Sequence, residues 1–260
     1  MLSYQHAYHA GNMADVHKHA LLAWMLDYMT AKPKPLSYLE THAGRALYDL
    51  SGAEAARTGE AARGIELATD WFAADHPYAR TLAAARAAHG PRAYPGSPWI
   101  ARHLLRFEDE IALAELHPAE AEALSAALPG VTVARTDGPA AVLSRAPPDP
   151  RRGLMLCDPS WEVKSDYEAI PDFLAKLHRK WPVGVLALWV PVLADARHRP
   201  MMRALHRTFP DAVSHTVAFP PAKEGHGMVG SALFVVNPPW GFEAEATRLS
   251  DRFATLCAQP

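Results

Sequence analysis

The sequence predicts an α/β fold: a seven-stranded, mostly parallel sheet covered by helices, with a helical insertion after its first strand. Three observations predict it. From residue 111 onward, short apolar runs alternate with stretches of helical length, the pattern of strands joined by crossover helices. Several runs, such as Leu154 to Cys157, are apolar at every position, as strands covered on both faces must be. The wait between the first strand and the second is too long for a simple connection and is itself helical in pattern.

Taken in order, residues 1–13 form a tail rich in aromatic and polar groups, expected to close over a site. From Ala14 to Thr30, Val16, Ala20, Leu21, Trp24, Met25 and Tyr28 recur at helical spacing, and Lys32-Pro33-Lys34-Pro35 ends that helix. Leu36 to Leu39 is a strand ending at Glu40. Residues 50–106 read as the insertion, with helices over 60–72, 78–89 and 98–106 divided by His76-Pro77 and by Gly90-Pro91 with Tyr94-Pro95-Gly96. Strands are then expected at 111–116, 131–135, 154–157, 183–190, 215–219 and 232–236. Helices are expected at 118–128, 139–144, 166–180, 193–209 and 242–256. The whole reads as one domain, 1–260.

A composition of 49% hydrophobic and 21% charged residues excludes a disordered or fibrous chain. The net charge of -2 gives the molecule no overall pull on a polyanion, so any nucleic-acid binding must come from a local basic face. Two cysteines do not make a disulfide framework, and no run is long and apolar enough for a membrane helix. A cytoplasmic protein is expected, with a monomer favoured.

In an open parallel sheet the ligand lies beyond the carboxyl ends of the strands, where strand order reverses. Four strands end at Glu40, Glu115, Asp137 and Asp158. After Glu40 comes Thr41-His42-Ala43-Gly44-Arg45-Ala46, a small-residue turn without the GxGxxG spacing of a nicotinamide site. Glu115 can accept hydrogen bonds from the two hydroxyls of a ribose. Asp137 can accept from an adenine amine, with Gly138 leaving room for the ring. Each has a plainer reading as a cap, turn or solvated carboxylate; it is the set on one rim that points to a nucleotide-like cofactor.

Asp158-Pro159-Ser160-Trp161 suggests the chemistry. An adenine amine is a poor nucleophile because its lone pair is delocalised into the ring. A carboxylate such as Asp158, with the Pro159 carbonyl, can orient the amine hydrogens and favour the pyramidal nitrogen that attacks a methyl group. Trp161 could stack on a displaced base. Asn237-Pro238-Pro239-Trp240 imitates the same motif but follows the last strand, and is read as a structural turn.

Tyr4 and His6 are the tail residues best suited to touch the base. His17 and His19 stand two apart on a helix and so face apart, which argues against a metal site. Lys18 and His19 could meet the polar parts of the cofactor. Arginines at 57, 63, 80, 86, 92, 102 and 106, and at 197, 199, 203 and 207, could bind phosphates or be solvated faces.

Taken together these blocks resemble the bacterial large-subunit (23S) ribosomal RNA adenine-N6 methyltransferase family J, over almost the whole chain. The resemblance is carried by Leu2-Ser3-Tyr4, His9-Ala10-Gly11-Asn12, Asp15-Val16, Lys18-His19, Thr41-His42-Ala43-Gly44 and Thr58-Gly59-Glu60. It continues through Tyr94-Pro95-Gly96-Ser97-Pro98, Glu115-Leu116-His117-Pro118, Asp137-Gly138, Asp158-Pro159, Ala187-Leu188-Trp189 with Pro191, and Asn237-Pro238-Pro239-Trp240. The resemblance implies a Rossmann-like methyltransferase core with a helical insertion, using S-adenosylmethionine on one adenine of protein-free large-subunit RNA. It implies cofactor contacts at His19, His42, Ser97, Glu115, Asp137 and Gly138, with Lys18 assisting, and catalysis by Asp158. Tyr4 would touch the substrate, helped by His6. The chain departs from the family's Asp-Pro-Pro-Tyr at Ser160 and Trp161, and from its Gly-Ala-Gly at Ala46. A side chain at Ala46 would crowd the cofactor if that position needs positive φ.

Overall fold

The computed structural model describes residues 4–221 and 227–258, so Leu2 and Ser3 of the tail lie outside the described residues. After a 3₁₀ turn at His6–Tyr8, helix α1 spans Met13–Thr30 and strand β1 Ser37–Glu40. The segment before the second sheet strand holds β2 (Leu47–Asp49), α2 (Ala53–Thr58), α3 (Pro77–His89), β3 (Ala93–Pro95) and α4 (Ser97–Leu104). There follow β4 (Glu110–Ala114), α5 (Pro118–Ala127), β5 (Thr132–Ala134), α6 (Gly138–Arg145), β6 (Gly153–Cys157) and α7 (Asp166–Lys180). The chain ends with β7 (Val185–Leu193), α8 (Arg199–Thr208), β8 (Val213–Ala218), β9 (Met228–Val236) and α9 (Phe242–Cys257).

Two expectations are corrected. The helix expected over 60–72 is instead two 3₁₀ turns, Ala61–Arg63 and Thr69–Trp71, where Gly64 is packed against the Gly11 carbonyl. A helix over 193–209 gives way to a strand that runs on to Leu193 and a helix that starts only at Arg199, because β7 extends to pair with a long β9. The β2 and β3 pair, Leu47↔Pro95 to Asp49↔Ala93, was not foreseen; strands of three residues carry too little periodicity to read.

The seven-stranded sheet has the order β5-β4-β1-β6-β7-β9-β8. Every strand runs the same way except β9, which is antiparallel to both neighbours. Strand order reverses at β1, flanked by β4 on one side and β6 on the other, which is where such a Rossmann-like sheet opens a crevice. Side chains alternate across the sheet, so Leu154 and Leu156 enter one core while Met155 and Cys157 enter the other. The first core is closed by α1, α3, α4, α5 and α9, the second by α6, α7 and α8.

Helix α1 is central. It touches α3, α4, α9 and β9, so nearly every face is buried. Its N-terminus is closed by the Asn12 side chain, which accepts from the Asp15 amide at 2.9 Å. A buried helix carrying Asp15, His17, Lys18 and His19 must pair every one of them, because an unpaired buried polar group costs ~1–3 kcal/mol and a charge more.

Candidate active site

Four adjacent strands deliver the rim. β5, β4, β1 and β6 end side by side, and the chain leaves them through Asp137, Glu115, Thr41 and Asp158. Above them opens a cavity of about 580 Å³, within the range of about 300–1,000 Å³ usual for small-molecule sites. All twelve residues singled out above line it: Lys18, His19, His42, Ser97, Glu115, Asp137, Gly138 and Asp158, together with Tyr4, His6, Pro159 and Trp161.

Asp158 and Lys18 make the central contact, the Lys18 ammonium donating to Asp158 Oδ2 at 2.5 Å. The same ammonium lies 3.1 Å from Asp15 Oδ1. Burial alone would lower the Lys18 pKa, but Asp158 and Asp15 outweigh it and raise it above the ordinary lysine range. Burial likewise pushes the Asp15 carboxyl up, and His6, Lys18 and His19 overcome that to hold it well below its usual value. Lys18 thus bridges two carboxylates, and the trio keeps a net negative charge at the floor of the cavity.

The tail joins this cluster. Asp15 Oδ2 is bonded to His6 Nε2 at 2.9 Å, and His6 Nδ1 to the Tyr4 hydroxyl at 2.8 Å. Since Asp15 is ionised and can only accept, Nε2 carries the hydrogen; in a neutral ring Nδ1 then accepts from Tyr4. Burial, then Asp158 and Asp15, raise the Tyr4 pKa, so its hydroxyl stays a donor. The Thr58-Gly59-Glu60 block anchors the tail: Glu60 takes His9 Nδ1 at 2.8 Å and Asn12 Nδ2 at 3.0 Å, and Thr58 donates to the Tyr8 carbonyl at 2.5 Å.

The opposite side is backbone-braced. Glu115 accepts from the Gly44 amide at 2.8 Å and the His117 amide at 2.7 Å, one through each oxygen, and each oxygen keeps a second lone pair. Asp137 caps α6 by accepting from the Ala140 amide at 2.9 Å. Gly138 is dictated by packing: a Cβ there would lie 1.8 Å from the Thr41 carbonyl oxygen. His42 bonds to the Thr41 hydroxyl at 2.7 Å, and burial lowers its pKa.

The remaining two positions are tied into the protein. The indole of Trp161 is 6% exposed, packs into the second core and donates to the Trp189 carbonyl at 3.2 Å, so little of its face is left for stacking on a base. His19 bonds to the Tyr94 hydroxyl at 2.9 Å and burial lowers its pKa to about 3, which makes it a neutral ring. His17 points away from it, to Ser231 and His215. Among the described residues no group of three histidines, cysteines, aspartates or glutamates is arranged to hold a metal ion.

The chain as a whole is matched in known proteins. Residues 33–260 match the family described as Ribosomal RNA large subunit methyltransferase D, RlmJ. The Ribosomal RNA large subunit methyltransferase J of Escherichia coli K12 is 37% identical, over 94% of this chain and 90% of that protein. The chain belongs to this family. The Haemophilus influenzae protein of the same name is 35% identical, over 94% of this chain and 90% of its own length. The crystal structure of protein LPL1258 from Legionella pneumophila superposes with a TM-score of 0.85 at 33% identity, covering 95% of this chain and 94% of that one. The fold is therefore that of the Rossmann-like methyltransferases, and the family's enzymes transfer methyl groups.

The Gly44-Arg45-Ala46 turn ends at Ala46, which has φ of 66° and is fully buried. An L-residue in that region costs roughly 1–2 kcal/mol. Its carbonyl accepts from the Gly96 amide at 2.7 Å, which holds the conformation, and Ala46 does not line the cavity.

One residue of the cluster was not singled out for the site from the sequence, and one expected on the rim lies elsewhere. Asp15 was visible only as an acid in an apolar helix, three positions before Lys18. Glu40, expected on the rim, sits beneath it, accepting from Ser97 Oγ at 2.5 Å and from the Tyr38 hydroxyl at 2.8 Å. Burial raises its pKa to about 8, despite both hydroxyls and the more distant charge of Lys18. A carboxyl whose folded pKa lies above its unfolded value, about 4.3, binds more protons in the native state, so its contribution to stability falls as pH rises from there through about 8. Glu40→Gln, which keeps the shape, is expected to raise the urea midpoint at pH 8 and to flatten the loss of stability between pH 5 and 8; an unchanged pH profile would show that Glu40 is ionised in the fold.

Proposed function

We propose that this chain transfers a methyl group from S-adenosylmethionine to the N6 amine of one adenine in large-subunit ribosomal RNA, acting on protein-free RNA before ribosome assembly is complete. One observation carries the reading: the Asp158 carboxylate, gripped by buried Lys18, opens into the same cavity as Glu115, Asp137 and Gly138.

The donor set suits the cofactor. Glu115, with a lone pair left on each oxygen, is the residue to take the ribose hydroxyls. The Asp137 oxygen not used in capping α6 would take the adenine amine of the cofactor beside Gly138, with His42 and Ser97 along the same wall. Lys18 and His19, both within 4 Å of the buried Asp15 carboxylate, complete the polar wall. When bound, the cofactor supplies a methyl group on a positively charged sulfur.

The protein's part is to prepare the nitrogen. Asp158 and the Pro159 carbonyl accept the two amine hydrogens and favour the pyramidal geometry in which the lone pair leaves the ring. Lys18 fixes one carboxylate oxygen, so the other meets the amine without a rotamer search. Alkylation places positive charge on nitrogen, which the negative trio of Asp15, Lys18 and Asp158 stabilises. Asp158 or water then accepts the proton. Tyr4 and His6 cover the base, with Pro159 and Trp161 forming the wall behind it. On this reading residues 1–260 are one catalytic domain, 50–106 its insertion and 1–13 its cover; the free cysteines Cys157 and Cys257 suit a reducing cytoplasm, and a monomer suffices.

The test is transfer of radiolabelled methyl groups to protein-free large-subunit RNA, with the product mapped and digested to nucleosides. N6-methyladenine at one position is expected. Cofactor binding without methylation of any RNA would sink the reading.

A further inference from the structure

Helix α8 has two opposed faces. Met201 and Leu205 are buried against the sheet, and Phe209 continues their row just past the helix end. Arg199, Arg203 and Arg207 are each two positions from that row, on the far side of the helix, and are exposed. They repeat every fourth residue, about 6 Å per step along the axis, of the same order as the separation of neighbouring phosphates on one strand.

Three features set this stripe apart from an ordinary solvated face. The helix contains no acidic residue, whereas solvated helices usually mix signs. Among the described residues none of the three guanidinium groups has an ion pair or hydrogen bond, which they share with Arg102, Arg145 and Arg252, but those stand singly on three different helices whereas these form one row. The charges also oppose the helix dipole at one end: α7 has acids in its first turn and bases in its last, but α8 starts on an arginine and has no acid in its first turn. Helix stability does not call for that arrangement.

The stripe starts close to the cavity and runs away from it, towards Val213 at the start of β8. β7 ends at Leu193, which lines the cavity, and one short loop later α8 begins. That loop carries Asp195 and Arg197, whose charges act on Tyr167, and Tyr167 packs on Trp161 beside Asp158. In a molecule of net charge -2, a local arginine row beside the site is what a polyanion can grip, and guanidinium suits phosphate because it bonds in a two-pronged fork.

We infer that Arg199, Arg203 and Arg207 form a phosphate-binding track that seats the RNA strand flanking the target adenine. The inference rests on the RNA reading above. Such contacts set position and affinity without reading sequence.

The experiment compares wild type with the triple variant Arg199→Gln, Arg203→Gln, Arg207→Gln, and with a control in which Arg102, Arg145 and Arg252, exposed on other helices, are changed to Gln. Equilibrium binding of a protein-free large-subunit RNA transcript is measured against salt, alongside S-adenosylmethionine affinity and melting temperature. The α8 variant is expected to bind RNA at least tenfold more weakly at 0.15 M salt. The slope of log affinity on log salt should fall by about 2, since each lost phosphate contact removes about 0.7–0.9. Cofactor affinity and melting temperature should stay put, and the control should keep most of the wild-type slope. Equal behaviour of the two variants would overturn the track, even with wild-type methylation intact. Failure of wild type to methylate any RNA would instead count against the functional reading, and the binding slopes would still decide the track.

Discussion

Asp158→Ala is expected to lower methyl transfer about 10²–10³-fold while S-adenosylmethionine affinity changes little. That is the size of loss seen when one preorganised electrostatic partner of a transition state is removed. The variant deletes the acceptor for the amine hydrogens and the charge that balances the alkylated nitrogen, and leaves the residues proposed to hold the cofactor in place. Asp158→Asn separates the two effects, because an amide oxygen can still accept but carries no charge; a rate between wild type and alanine is expected. The instructive control is Asn237→Ala. Asn237 stands in a more motif-like setting, yet its amide donates to the carbonyls of Pro182 and Gly184 at 2.9 Å each. Its loss should lower stability by about 1–2 kcal/mol and spare the rate. Single-turnover transfer to protein-free RNA decides the matter: an Asp158→Ala enzyme at wild-type speed would remove that residue from the chemistry.

Gly138→Ala carries the largest expected effect on the fold. The added methyl would sit 1.8 Å from the Thr41 carbonyl oxygen and 2.5 Å from its carbon. Backbone cannot swing aside as a flexible side chain can, so the start of α6 must move away from the end of β1. That separates Asp137 from the turn leading to Gly44 and Glu115. A loss of about 3 kcal/mol or more is expected, at the upper end of overpacking penalties, with cofactor affinity down at least tenfold. Urea unfolding and cofactor titration check both; a native urea midpoint would show that this approach is looser than described. The sequence suggested a different reason for this glycine, room for a base, because the Thr41 carbonyl that demands it is distant in the chain.

Periodicity and strand ends carry a long way in this protein. The apolar repeat of α1, the fully apolar β6 and the alternation after residue 111 predict strands and helices that the structure reproduces to within a few residues, apart from the late start of α8. Where the pattern is short or broken by glycine it fails, as in the 3₁₀ turns near Gly64 and in the three-residue strands β2 and β3. Local signals extend over a few residues, and such segments take their shape from distant partners.

The residue chemistry at each strand terminus could be read from the linear chain, because a carboxylate after an apolar run tells its own story. Which of those termini meet could not. Asp158 and Asn237 both follow a strand with a proline and an aromatic behind them. They part company because β9 runs against β7: Val236 pairs with Leu186 near the start of β7, so Asn237 emerges at the far end of the sheet, beside Pro182 and Gly184. The charge of Lys18 is likewise a matter of three dimensions. Asp15, one turn away on α1, and Asp158, across the cavity floor, together offset the cost of burying an ammonium, and only packing α1 against the sheet brings all three within reach.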